Sequence, residues 1–404
     1  MSANKPPDSP FETERGPEES ILLWAIRGSS QDTTLLTPDS GRPPDWILLR
    51  RLAISQGVLP LVYQKLKSLE SDQVPEPQKS EFRRLYLKNA GRNLLLAQRL
   101  LQLLKLFRDN GIEAIPFKGP TLAALAYGSV SMRRFCDLDI LVRPQDIERV
   151  SALLISRGFV PRFRFSKLQK WIHRRFTCEF GFDHPQENLQ LDIHWRFAAR
   201  YLAPGFAVVN PLLHLRKVRL EDAETETLSA DILLLYLCLH GSFHLWTSLG
   251  LVSDIARLIE TEASREWESL LEMGEKTHLV RILLLGLALA HDLCDVKLPS
   301  SVCDRIDRTT GLKRLRRQAL RSLFSNRADL PGFGELAVFQ MKAQDRLRDR
   351  IRYLLLRLFL PTVEDWKRLP LPDALFFLYF LFRPLRLAGH ILFHRRSPVP
   401  DRLT

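Results

Sequence analysis

The chain has 404 residues and 45% hydrophobic content, which makes it globular and too long for one ordinary core, so two or three domains are expected. Lysine and arginine outnumber the acids by 59 to 46, and the formal charge of +13 favours polyanionic partners (nucleotides, nucleic acid or an acidic membrane surface) without choosing among them. Five cysteines lie without CxxC or zinc-type spacing, which argues against a disulfide framework and for free thiols in a reducing cytoplasm.

The opening residues, Met1-Ser2-Ala3-Asn4-Lys5-Pro6-Pro7, are polar and proline-rich, so a disordered tail over 1–17 without a signal peptide is expected. A helix is predicted over Glu18–Ile26, another around Asp45–Leu69, and a long one from about Gln78 to Asn110, closed by Asn110-Gly111. This N-terminal helical region covers 18–110. The pattern then changes to short strands alternating with helices. Ile112–Phe117 reads as a strand, Pro120–Tyr127 as a helix, Leu138–Val142 as a strand and Pro144–Arg157 as a helix. Phe159–Phe165 begins a third strand, and Thr177–Phe182 with Leu189–Trp195 form a hairpin. Residues 111–203 thus make an α/β core. From about Pro204 to residue 404 the chain reads almost wholly helical, with an arginine-rich final third.

Three acids interrupt the apolar strands: Asp137 and Asp139 in Cys136-Asp137-Leu138-Asp139-Ile140, and Asp192 in Leu191-Asp192-Ile193-His194-Trp195. Residues two apart in a strand share a face, so Asp137 and Asp139 project together while Leu138, Ile140 and Val142 face a core. Like charges so placed stay ionised only beside a cation, and a divalent metal is the natural one. A third carboxylate from a second strand completes a set able to hold two metal ions over a phosphoryl group. The plain alternative is exposed aspartates at strand ends.

Phe117-Lys118-Gly119-Pro120, Ala126-Tyr127-Gly128, Arg133, the Asp137–Val142 run, Gly158-Phe159 and Leu191–Trp195 follow in that order. Leu239-His240-Gly241 with His244, Trp246 and Asp254-Ile255 comes later, then Pro361-Thr362, Asp365 and Arg383-Pro384. Together they resemble the uncharacterised bacterial nucleotidyltransferase family of the polymerase-β-like superfamily, over roughly Ile21 to Gly389. The resemblance implies a mixed sheet with helices on one side, flanked by the N-terminal helices and a large C-terminal helical region. It implies two magnesium ions, with manganese as a substitute. Asp137 and Asp139 would bind both, and Asp192 would bind the catalytic ion and help deprotonate the acceptor. The substrate would be an NTP, the other product pyrophosphate, and the acceptor a small molecule, peptide, glycan, protein or RNA.

The superfamily's phosphate cradle is a Gly-Ser pair after the first strand. Lys118-Gly119 has that position and is preferred, with Lys118 as a point charge for phosphate; Gly128-Ser129, which has those residue types, is the alternative. Arg133, just before the DxD strand, could grip phosphate bidentately, whereas Arg134 reads as a solvated charge. His240 and His244 share a helical face, but Gly241 occupies the place where a helical zinc motif needs glutamate; packing at a domain junction, lining the acceptor side, is the other reading. Trp195 could stack on a base or sit in the core, and His194 is expected to point opposite to its strand neighbours, to a different surface from Asp192's next neighbour. The apolar Ala374–Phe382 is broken by Arg383 and Pro384, so no transmembrane helix is expected; residues 374–396 could instead lie on an anionic membrane or pack on the helical domain. A catalytically silent nucleotide- or partner-binding protein on the same fold is the alternative to the enzyme. A general RNA-binding protein fits less well, for want of aromatic-basic strand motifs or a GxxG loop.

Overall fold

The computed structural model describes residues 16–28, 43–69, 73–262, 264–324 and 332–393. The expected tail over 1–15 lies outside them, and Pro17 already opens the first helix, α1 (Pro17–Ile26). The helix expected over Asp45–Leu69 is two, α2 (Trp46–Ser55) and α3 (Leu59–Lys67). They part at Gly57, whose φ of +72° is left-handed, and Pro60 restarts the helix in the first turn of α3. Next comes α4 (Glu76–Asp109), a 34-residue helix that joins two cores. Its Phe82 packs with the N-terminal helices, whereas Leu96, Leu100 and Phe107 pack under the sheet.

The sheet is mixed, as expected. Its strands are β1 (Ala114–Pro116), β2 (Asp137–Val142), β3 (Val160–Pro161), β4 (Glu179–His184) and β5 (Leu189–His194), ordered β1-β2-β5-β4-β3. β2 and β5 pair in parallel at its centre and the other pairings are antiparallel. Between the strands lie α5 (Gly119–Tyr127), α6 (Ile147–Ser156) and α7 (Lys167–Phe176). One sheet face carries Leu138, Ile140, Leu191, Ile193, Phe180 and Phe182 into a core shared with α4 and α6. The other carries the acids.

The third strand is shorter than expected, and the chain turns into α7 through a capping box in which Ser166 accepts from the Gln169 N–H and the Gln169 side chain accepts from the Ser166 N–H. The region expected to be wholly helical opens instead with a hairpin, β6 (Leu215–Leu220) and β7 (Ala223–Leu228). Its alternation of charged and buried positions leaves Val218, Leu220 and Leu228 inside, and Glu221 turns it at φ +54°. The Thr227 hydroxyl donates to the Pro116 carbonyl at 2.7 Å, so the hairpin covers β1, an edge strand of the sheet.

Helices follow: α8 (Ala230–Phe243), α9 (Leu249–Glu260), α10 (Trp267–Thr277), α11 (Val280–Cys294), α12 (Ser300–Arg308), α13 (Leu312–Leu323), α14 (Phe333–Ala343), α15 (Leu347–Phe359), α16 (Val363–Arg368) and α17 (Tyr379–Phe393). α8 to α14 share one apolar cluster with α1 to α3. A third cluster joins Ile172 of α7 to Leu360, Trp366, Phe376 and Tyr379. Through it the C-terminal helices close over the β3–β4 edge.

Candidate active site

Register assembles the three acids. Asp139 lies directly beside Asp192 in the parallel β2–β5 pair, and Asp137 is two residues along on the same face. They form the floor of a cleft of about 1540 Å³, walled opposite by Tyr236, His240 and His244 of α8 and rimmed by Pro361–Lys367. That exceeds the roughly 300–1,000 Å³ of an ordinary small-ligand site.

Asp139 is almost wholly buried. Its Oδ1 accepts from Lys118 Nζ at 2.8 Å and pairs with His194 Nε2 at 2.9 Å, while Oδ2 is buried without a hydrogen-bond partner. Burial alone would raise this carboxyl; Lys118 and His194 outweigh it and hold it well below the usual range. Burial and the Asp139 charge raise Asp137, against Lys118 and Arg133. Burial, Glu179 and Asp139 push Asp192 up to about 7, against Arg162 and His194. Two carboxyls destabilised by burial and like charge, beside an oxygen with no donor, are a set that a divalent cation would complete. Oxygen-only ligands suit magnesium or manganese.

Lys118 caps α5, and Gly119 follows it at φ +53°. A Cβ on Gly119 would stand 3.1 Å from the Asp137 carbonyl oxygen, so this turn needs glycine to lie against β2. Both residues line the cleft. Gly128-Ser129 sits at the other end of α5: Gly128 is its left-handed C-cap, and Ser129 caps the following turn. Neither lines the cleft.

Arg133 reaches the cleft wall, but its fork is not open to phosphate as expected. Nε lies 2.9 Å and Nη2 2.8 Å from the Asp254 carboxylate, which also accepts from the Tyr127 hydroxyl at 2.8 Å. This buried pair ties the sheet domain to α9. Arg134, expected to be solvated, is exposed and donates to the Ile54 carbonyl.

His194 faces away from Ile193 and Trp195, which lie in the core under the sheet. It lies two residues from Asp192, hence on the same face, and holds Asp139. Asp139 and Glu179, against burial, raise its pKa. Trp195 falls on the opposite face, buried beside Phe180 and His173, and so is a core residue rather than a base-stacking one. His240 and His244 meet edge to face at 4.6 Å in the cleft wall. Burial, then repulsion from Lys118, keeps His240 well below its ordinary pKa and therefore neutral. Gly241, which stands where a zinc motif would have glutamate, makes room for Trp246: a Cβ there would lie 2.5 Å from the indole.

Two contributors escaped the sequence reading. Arg162 Nη1 reaches Asp192 and its Nε reaches Asp183, each at 2.8 Å, passing over Gly181, the β4 residue paired with Asp192. A Cβ on Gly181 would stand 2.8 Å from the arginine. Cys178, Glu179 and His194 also place donor atoms within 4.8 Å of one another, but burial pushes the Cys178 thiol well up, so it stays protonated rather than a ready ligand.

The sequence profile of a family described as uncharacterised nucleotidyltransferase matches residues 42–295. Comparison with curated proteins and with solved structures gives no match. The matched stretch takes in the whole acid-bearing sheet and α8 to α11 and stops before the C-terminal helices that rim the cleft.

Proposed function

The chain belongs to the uncharacterised nucleotidyltransferase family, and from that premise we propose that it moves a nucleoside monophosphate from an NTP to a hydroxyl or phosphate acceptor on a polymerase-β-like core. The observation that carries this reading is the Asp139–Asp192 register with Asp137 on the same face, at the floor of the cleft.

Asp137 and Asp139 would hold two divalent ions, and Asp192 one of them; bound there, magnesium or manganese would supply charge to acidify the acceptor hydroxyl and to stabilise the departing pyrophosphate. Asp192, on the cleft floor beside Asp139, would help deprotonate the acceptor hydroxyl. The acceptor oxygen bonds to the α-phosphorus as the bond from that phosphorus to the pyrophosphate oxygen breaks, and the electron pair leaves with pyrophosphate. Lys118 and the first turn of α5 from Gly119 supply charge and N–H groups for the triphosphate. With Asp139 neutralised by a cation, Lys118 would be free to turn from Asp139 to phosphate. Arg133 acts through Asp254, holding the wall, and adds positive charge near Asp137.

One observation favours the silent-binding reading: Lys118 and Arg162 already neutralise Asp139 and Asp192 within the chain. Incubation with each α-labelled NTP and magnesium, with cell extract as acceptor source, separates the two. Label transfer with pyrophosphate release, lost in Asp192→Asn, is the expected result. NTP binding with no pyrophosphate from any NTP would favour the silent protein.

A further inference from the structure

The outer surface of the C-terminal helices is apolar where a solvated helix would be polar. On α15, Leu347, Ile351, Leu355 and Leu358 recur at helical spacing and are all exposed, Leu347 by 69%. The inner face of the same helix buries Asp349 and Tyr353, so the exposed stripe is a second apolar side and not the core-facing one. Beside it, Phe377 in the turn before α17, then Leu381 and Leu385 of α17, repeat the pattern with exposures of 59%, 65% and 73%. The two helices are tied together: Arg383 donates twice to the Arg357 carbonyl, at 3.1 and 2.9 Å. Exposed apolar stripes on two helices joined in this way mark an interaction surface.

Charge identifies the occupant. Arg346, Arg348, Arg350 and Arg352 cluster at the start of α15, and the acid within that helix, Asp349, is buried. An isologous dimer through this face would set arginines against arginines or against leucines, with no carboxylate on either stripe to neutralise them. An anionic bilayer accepts both parts at once, the leucines among acyl chains and the arginines at the headgroups. No helix among the described residues is long and apolar enough to cross a membrane, so the contact is peripheral.

We propose that the outer faces of α15 and α17 seat this protein on an anionic membrane surface. The seat is joined to the cleft. Asp365, fully buried in α16, pairs with Arg383 at 2.5 Å and Arg386 at 2.7 Å, both of α17, and Pro361–Lys367 around it form the cleft rim. Resting on the nucleotidyl-transfer reading, this geometry makes the acceptor a hydroxyl or phosphate carried by a lipid.

The test is co-sedimentation of the full chain with vesicles of phosphatidylglycerol and phosphatidylcholine in about equal amounts, and with phosphatidylcholine alone. Binding to the mixed vesicles should exceed binding to the neutral ones about tenfold or more, and Arg346→Glu with Arg348→Glu should remove that preference. Leu355→Ser with Leu381→Ser should abolish binding while circular dichroism shows an unchanged melting curve, since both side chains are exposed. Equal sedimentation of these variants and the parent, or a concentration-dependent dimer that the leucine variants dissociate, would overturn the proposal. Because sedimentation needs no turnover, it stands apart from the transfer reading. Vesicle binding with no label passing from NTP to the lipid fraction would remove the lipid acceptor alone.

Discussion

Asp139 is the residue on which the site turns, because it holds Lys118 and His194 on one oxygen and leaves the other without a donor. Lys118→Met breaks a buried ion pair, a change that costs about 3–5 kcal/mol. Its melting temperature in chelator should fall, and magnesium should restore part of the loss by taking over the charge of Asp139. NTP affinity, read by equilibrium dialysis, should drop about tenfold with one phosphate contact gone. Asp192→Asn should leave the fold intact and lower transfer by about two or more orders of magnitude, measured as pyrophosphate release. The aspartates were readable because two-residue spacing fixes a shared face inside any strand. The same rule puts His194 on their face, away from Ile193 and Trp195. Arg162 was not readable: its reach to Asp192 depends on β3 pairing with β4 and on Gly181 leaving space, neither of which local pattern reveals.

At the scale of elements, the order of strands and helices from 114 to 194, apart from α7, followed from periodicity and turn residues. The misses have definite causes. Ser166-Lys167-Leu168-Gln169 is a capping box, the plainest sign of a helix start, and the aromatic run before it masks that sign. The β6–β7 hairpin hid because its charged residues carry weak strand preference, and burial of Val218 and Leu228 decides it. Gly57 broke α2 from α3 through a left-handed φ that Leu and Val spacing cannot show. One tight contact is Gly241 of α8 against Trp246. Gly241→Ala would overpack a fully buried indole and should cost about 1–3 kcal/mol, seen as a lower denaturation midpoint with an unchanged slope.

Across the whole molecule, the acid-bearing sheet face is held against the helical half, so its charge couples to folding. Asp192, raised to about 7 by burial, Glu179 and Asp139, has a folded pKa above its unfolded value. Its stabilising contribution is therefore complete below about pH 4 and lost as pH rises through about 7. His194, raised by Asp139 and Glu179 against burial, acts in the same sense above about pH 6.5. Asp139, held low, gives the opposite contribution, present above about pH 4 and lost in acid. In chelator, the melting temperature should fall between about pH 6 and pH 8, and Asp192→Asn should flatten that fall. Added magnesium should reverse it in the parent. The central claim, that Asp137, Asp139 and Asp192 hold divalent cations for an NTP, is tested most directly by electron paramagnetic resonance titration of manganese with a non-hydrolysable NTP analogue present. Saturable binding in the parent that Asp139→Asn largely abolishes is the expected result. Equal manganese binding by the two proteins, or none by either, would contradict it.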